Sequence, residues 1–353
     1  MSKPVIVWFR QDLRLRDHPA FYEACLQDRP VLPVYILDDE AAGEWKMGGA
    51  SRVWLYHALK NLQEEFEGHL VICKGNARQE LQKLIEESGS EAVYWNRCYE
   101  PWQIERDKDI KKILEQKGIE ANSFNGSLLW EPWTIKNQSG EPYKVFTPYY
   151  RKGCLAAGEP DEPLPAPDSP IYAQIPSCSL SIEDLDLLPH KEGDWAKRII
   201  SKWDISEAGA QERLNEFLKH GLSGYKEGRN NPAQNHVSRL SSYLHFGHVS
   251  PRQVWNAAKL YASAHQRNDN DIDCFCSEIG WREFSHSLLY HFPKLPRENL
   301  QKKFDQFPWR QASEDELDRW RYGRTGYPIV DAAMRELWQT GYMHNRCRMI
   351  VGS

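Results

Sequence analysis

The chain has 353 residues, of which 41% are hydrophobic and 27% charged, with a net charge of −5. That apolar content excludes a disordered chain, and the length leaves room for two or more domains. The acidic balance excludes nucleic-acid affinity by bulk charge, so any DNA contact needs a local basic patch.

Residues 5 to about 125 alternate short apolar runs with helical patterns. Val5-Ile6-Val7-Trp8-Phe9, Val31 to Leu37, Leu70-Val71-Ile72-Cys73 and Ala92-Val93-Tyr94-Trp95 read as buried strands. Residues 51–66 and 77–88 show helical spacing, through Val53, Leu55, Leu59, Leu62 and Phe66 in the first helix and Leu81, Leu84 and Ile85 in the second. Continuous apolar strands alternating with helices predict a doubly wound parallel sheet. No glycine-rich phosphate loop follows any strand, so ordinary dinucleotide and triphosphate cradles have no support.

Residues 155–195 hold seven prolines and nine acidic residues and read as a connecting segment. From about 196 onward helical periodicity dominates, at Ala208–Lys219, Ser250–Ala264 and Glu278–Tyr290. Two more helices are predicted around Gly326–Arg335 and Met343–Met349. The eight cysteines are scattered, and Cys274 with Cys276 is the one close pair. That falls short of a zinc set, so no metal site is expected, and reduced thiols in a cytoplasmic protein are. Met1-Ser2-Lys3-Pro4 leads straight into the first strand with no signal-peptide pattern, and no apolar run reaches membrane-spanning length.

Glu278, Trp281, Arg282 and Ser285 recur at helical spacing and share a face, where a carboxylate, an indole and a guanidinium can bind a flat polar ligand. Ser238-Arg239-Leu240-Ser241 opens a helix-like segment ending in Leu244-His245-Phe246-Gly247, and its hydroxyls and N–H groups suit a phosphate. His344-Asn345-Arg346 and Arg348 gather cations and an amide within two turns. Each has a plainer reading taken singly: a surface ion pair, an N-cap, a solvated helix face.

Together, and in order, these segments resemble the photolyase/cryptochrome family. The likeness includes Trp8-Phe9-Arg10-Gln11-Asp12-Leu13-Arg14, Glu278-Ile279-Gly280-Trp281-Arg282-Glu283-Phe284, Gly326-Tyr327-Pro328-Ile329-Val330-Asp331-Ala332 and Met343-His344-Asn345-Arg346. It spans essentially the whole chain and looks most like the class I cyclobutane-dimer photolyases. The resemblance implies an α/β antenna domain at 1–130, a linker at 131–195 and an all-α FAD-binding domain at 196–353. It implies light-driven repair of pyrimidine dimers in DNA by an electron from reduced FAD, with the dimer flipped out of the duplex. A cytoplasmic monomer with no membrane contact is the expected form.

Carried over by motif, the resemblance gives FAD to Tyr225, Ser238, Arg239, Leu240, Ser241, Phe275, Glu278, Arg282, Asn345 and Arg348. Glu278 would hydrogen-bond the thymine edge as a protonated or hydrogen-bond-sharing carboxyl, stabilising charge that develops there. Trp281 would stack on the dimer. Asn345 would lie near both flavin and lesion, and Met349 beside the lesion. Arg229 and Arg346 would contact phosphates. Trp309 matches the outermost tryptophan of the family's electron-transfer chain.

The chain departs from the family pattern at Val237, Phe275 and Tyr342, where Thr, Trp and Trp are usual. The usual antenna-contacting carboxylate is Gln103 here or displaced to Glu105, and a folate antenna (methenyltetrahydrofolate) is implied. Family members continue well past Ser353. On that comparison the chain is C-terminally truncated, lacks part of the flavin pocket, and is expected to bind FAD weakly and to repair nothing alone. Two other readings compete. A cryptochrome-like photoreceptor would bind FAD without repair, but the plant type tends to carry Leu at 281 and Asp at 345, whereas this chain has Trp281 and Asn345. The Met343–Met349 run also lacks the His-rich pattern of the (6-4) and animal cryptochrome branch. An unrelated nucleotide-binding α/β domain would show no flavin absorbance.

Overall fold

The computed structural model describes residues 2–189, 194–265 and 270–353. Five parallel strands form one sheet in the order β3-β2-β1-β4-β5. They are β1 (Val5–Phe9), β2 (Val31–Leu37), β3 (Val71–Lys74), β4 (Ala92–Asn96) and β5 (Glu120–Phe124). The sequence predicts the first four. β5 escapes because an edge strand needs no apolar run: of Glu-Ala-Asn-Ser-Phe only Ala121 is buried.

The helices α1 (Pro19–Cys25), α2 (Asp39–Ala42), α3 (Gly49–Glu65), α4 (Ala77–Ser88) and α5 (Pro101–Gln116) connect the strands. Strand alternation sends Val5, Val7 and Phe9 to one face, against Phe21 of α1 and Trp54 and Leu59 of α3. Ile6 and Trp8 go to the other, against Leu81 and Leu84 of α4 and Ile110 and Leu114 of α5. The sheet is therefore covered on both sides, as the doubly wound reading requires.

The connecting segment is more than a tether. A single turn, α6 (Phe146–Pro148), runs into a wide turn at Tyr149–Cys154, and Tyr149, Tyr150 and Cys154 join the core. Further on, Val31 N–H donates to Ile171 O (2.7 Å), Ala173 N–H to Val31 O (2.9 Å) and Leu180 N–H to Ile72 O (2.8 Å). The proline-rich stretch thus lies as a strap along the β2 and β3 side of the sheet. Residues 190–193 of the expected linker lie outside the described residues.

The second half is helical: α7 (Asp194–Ile200), α8 (Glu207–Glu216), α9 (Tyr225–Gly228), α10 (Ser241–Phe246), α11 (Pro251–Ala264), α12 (Asn270–His291), α13 (Glu314–Arg321), α14 (Pro328–Thr340) and α15 (Asn345–Val351). Ser250 caps α11 reciprocally with Gln253. α12 begins well before Glu278, where the apolar periodicity first becomes plain. Gly341, at φ 72°, ends α14 and turns the chain into α15, giving the expected helical hairpin.

One apolar core runs from the α1/α3 face into the helical half through Tyr149, Tyr243, Trp255 and Phe275. The polar joint is equally dense. Buried Arg14 donates to the carbonyls of Asp17 (2.6 Å), Gly126 (2.7 Å) and Gly247 (3.0 Å), and Asp17 pairs with Arg252 at 2.8 Å. Gly247 has φ 76°, and a Cβ there would overlap the Gln11 carbonyl. Its lack of a side chain lets α10 abut the loop after β1.

Candidate functional site

The arginines of the helical half gather where α9, the 238–241 turn, α12 and the α14–α15 hairpin meet. Glu278 of α12 is ion-paired with Arg229 Nη1, both largely buried. The pairing holds the guanidinium above its usual range although burial pulls it down. Arg229 also lies over the Tyr225 ring at 5.5 Å, and Tyr225 meets Phe275 edge-on at 5.5 Å. Glu278 therefore shares its hydrogen bond with a cation. Arg229 is committed inside the cluster rather than standing free for a DNA phosphate.

Arg346 gives two N–H bonds to Asn230 Oδ1, at 2.8 and 2.6 Å. That ties the start of α15 to the end of α9, next to the Arg229–Glu278 pair. Asn345, the first residue of α15, is exposed, as are Arg348 and Met349. Arg348 Nε donates to Met343 O at 3.0 Å, and its guanidinium lies 6.0 Å from the Tyr342 ring. Arg239 sits over the same ring at 5.0 Å, with Glu336 3.7 Å from its guanidinium. Tyr342 is thus flanked by two arginines.

Arg239 has φ 55°, a left-handed backbone that few non-glycine residues adopt. Among the described residues its buried Nε has no hydrogen-bond partner, and neither has the buried Nε2 of His344. Burial pushes the His344 imidazole below its usual range; Glu336 opposes this, while Arg229, Arg239 and Arg346 add to it. Unpartnered buried donors beside four arginines fit an anionic, hydrogen-bonding ligand, as a flavin nucleotide is. Ser238 Oγ accepts from Leu240 N–H at 3.4 Å, and Ser241 is exposed at the head of α10. Leu240 and Phe275 are buried at 2% and 3%, so Leu240 offers a ligand only its backbone and Phe275 is wall behind Tyr225.

One residue expected at the FAD, Arg282, lies elsewhere, and Trp309, expected as the outermost tryptophan, lies at the surface. Arg282 donates to Ser127 O at 2.6 Å, and its charged surroundings are Glu283, Glu100 and Tyr99. It clamps α12 to the sheet half instead of facing Tyr225 and Arg239. Although four residues from Glu278, it is drawn aside by a carbonyl that spacing cannot reveal. Trp309 is 81% exposed on the stretch before α13, in contact with Phe307. Trp281, 46% exposed, stacks on Phe146 and meets Phe284 edge-on at 5.9 Å, whereas Glu278 faces Arg229. Asn230, Glu336 and Phe146 were missed by the sequence reading. Only Asn230 left a signal, the polar Arg229-Asn230-Asn231 run before Pro232.

A concavity lies between the sheet half and the helices, where His245, Phe246 and Leu289 line it. About 680 Å³ opens beyond the carboxyl ends of β1 and β2 and the start of α5, lined by Trp45, Trp102, Gln103, Glu105 and Arg106. The strand order reverses between β1 and β4, and such a switch point is where open α/β sheets bind ligands. Arg106 stacks on Trp8 (4.7 Å) and Trp102 (5.0 Å). Gln103 is 5% exposed, and its buried Oε1 has no partner.

Comparison with known proteins bears on the family and the fold. Residues 5–168 match the family described as DNA photolyase, and residues 275–353 match the FAD binding domain of DNA photolyase. The deoxyribodipyrimidine photo-lyase of Agrobacterium fabrum is 43% identical over 355 residues, covering 100% of this chain and 72% of that protein. Cryptochrome-2 of Arabidopsis thaliana is 37% identical, covering 100% of this chain and 59% of its own length. The crystal structure of a bacterial class III photolyase from Agrobacterium tumefaciens superposes with a TM-score of 0.92 at 42% identity, over 99% of this chain and 72% of that one. The likeness thus does not single out class I. Two matched domains in order, an identity of 43% across the full chain and a shared fold establish that the chain belongs to the photolyase/cryptochrome family.

Proposed function

We propose that this chain is a DNA photolyase that repairs cyclobutane pyrimidine dimers with FAD held in the arginine cluster. The observation that carries the reading is the pair of buried, unpartnered nitrogens, Arg239 Nε and His344 Nε2, in that cluster. Reduced FAD, when bound, supplies the light-excited electron that splits the dimer and accepts it back. The protein's own groups bind and orient. Ser238, Ser241 and the backbone from Ser238 to Ser241 hold the phosphate and ribitol side, with Tyr225 and Phe275 as the wall. Arg239 and Arg348, braced on Tyr342, supply positive charge, and Asn345 hydrogen-bonds between cofactor and lesion. Glu278, kept in place by Arg229, accepts from a thymine N–H. Trp281 offers a ring face to an extruded base, Arg346 and Met349 of α15 contact the DNA, and Trp309, at the surface, is the outermost member of an electron-transfer chain.

Asn345, Arg348 and Met349 are exposed and so open to a ligand. The test is a titration with FAD followed by flavin fluorescence, then binding of a dimer-containing oligonucleotide and recovery of intact bases under blue light. Arg239→Ala and Arg348→Ala should each weaken FAD binding about tenfold, in line with the loss of a charge-assisted hydrogen bond. Equal FAD affinity in the parent and both variants would remove this site from consideration. The likeness to Cryptochrome-2 supports a second reading, a photoreceptor without repair. Light-driven flavin reduction without preference for the dimer oligonucleotide would select it.

On the same reading, a second light-absorbing group occupies the cavity beside Trp45 and Trp102. Its aromatic walls, Glu105 and the unpartnered Gln103 Oε1 suit a folate such as methenyltetrahydrofolate, and its size is within the ordinary range for small-ligand sites. Free thiols at all eight cysteines fit a cytoplasmic setting.

A further inference from the structure

Trp281 does not stand alone on its helix. Its indole lies face to face with the Phe146 ring, the centroids 3.8 Å apart and the planes 11° from parallel. Phe146 lies parallel to Tyr150 in turn, at 5.6 Å and 8°, and meets Phe284 edge-on at 5.9 Å. Buried Tyr150 rests on Gly280, where any Cβ would crowd its ring. From the core outward the order is Gly280, Tyr150, Phe146, Trp281. Phe146 is partly buried, and Trp281 is the member that reaches solvent.

A tryptophan on a helix surface ordinarily samples several rotamers, and a flat ligand stacking on it must first select one. Here the selection is made in advance. Phe146, from the α6 turn 135 residues upstream, covers one face of the indole and fixes its plane. The opposite face is left for a single flat ring. Burial of Tyr150 against Gly280 stops Phe146 from retreating.

We propose that Phe146 is a positioning residue of the lesion site: it pre-orients Trp281 so that one base of an extruded pyrimidine pair stacks without reordering the indole. This rests on the reading of Trp281 as the stacking platform. Aromatic stacking of this kind predicts a loss of roughly three- to tenfold in affinity when the ring is removed. The experiment measures binding of the full chain to a dimer-containing oligonucleotide and to the same oligonucleotide undamaged, by fluorescence anisotropy. Phe146→Ala and Phe146→Leu should weaken dimer binding by that factor and leave undamaged binding unchanged. Phe146→Tyr should restore it. In a Trp281→Ala background, Phe146→Leu should add nothing, because the group it positions is gone. Phe146→Leu keeps apolar bulk, so a fold that survives in it separates positioning from collapse; circular dichroism checks this. Two outcomes overturn the proposal alone: dimer binding unaffected by Phe146→Leu, or an equal loss in the Trp281→Ala background. If Trp281→Ala itself leaves dimer binding unchanged, the platform reading fails and this inference fails with it.

Discussion

The two halves of the molecule use charge differently. In the sheet half, and where it joins the helices, the charged groups are sealed and each is paired through at least one atom, although Arg10 Nε and the neutral Gln103 Oε1 find no partner among the described residues. Arg14 is 1% exposed with its donors on carbonyls, Asp17 is fully buried against Arg252, and Arg10 pairs with Asp107 at 2.6 Å. Around the α14–α15 hairpin of the helical half, other polar groups stand at a rim. Arg348 and Asn345 are exposed, and Arg239 and His344 keep buried nitrogens without partners. The first arrangement holds a shape; the second waits for something to complete it. A buried charge without its partner is expensive, whereas a rim charge is nearly free.

That contrast can be broken by mutation. Arg14→Ala should have the largest effect, about 3–5 kcal/mol lost, because buried carbonyls and Asp17 lose a cation at once; thermal unfolding measures it. Gly247→Ala comes next at about 2–3 kcal/mol, from its positive φ and the contact with Gln11, and it should loosen the joint before the sheet melts. Limited proteolysis between the halves reports that loosening. Arg239→Ala and Arg348→Ala should each change unfolding stability by no more than about 0.5 kcal/mol while weakening FAD binding. A large stability loss in either would erase the distinction between the halves.

A pH titration sharpens the comparison. Burial raises the Glu283 carboxyl from 4.5 to about 7, although Arg282 and the N–H groups of Leu129 and Trp130 oppose the shift. The folded protein therefore holds this proton more tightly than the unfolded chain. Stability is greatest below about pH 4.5, falls as pH rises toward about 7, and is then flat for this group. The total fall is on the order of 3–4 kcal/mol, at about 1.4 kcal/mol for each pH unit. Chemical denaturation across that range should show it, and Glu283→Gln should flatten it.

Much of this was legible in the residues. β1, β2 and β4 are buried on both faces, so their apolar runs betray them, whereas β5 at the edge carries Glu120, Asn122 and Ser123 and hides. The α12 face is legible because Glu278 and Trp281 are three residues apart. Arg282 misleads because its partner, the Ser127 carbonyl, lies 155 residues away and is backbone, which no side-chain pattern encodes. Phe146 and Glu336 are invisible for the same reason: they matter through contacts made only after the chain has folded.

The acidic, proline-rich path between the halves has one more consequence. By bonding to Val31 and Ile72 it occupies amide and carbonyl groups that an open β-sheet would otherwise offer to any passing extended peptide. A nick near Pro165–Pro170 that released this segment would therefore turn the β3 margin into a template for self-association, and turbidity at high protein concentration would be its first symptom.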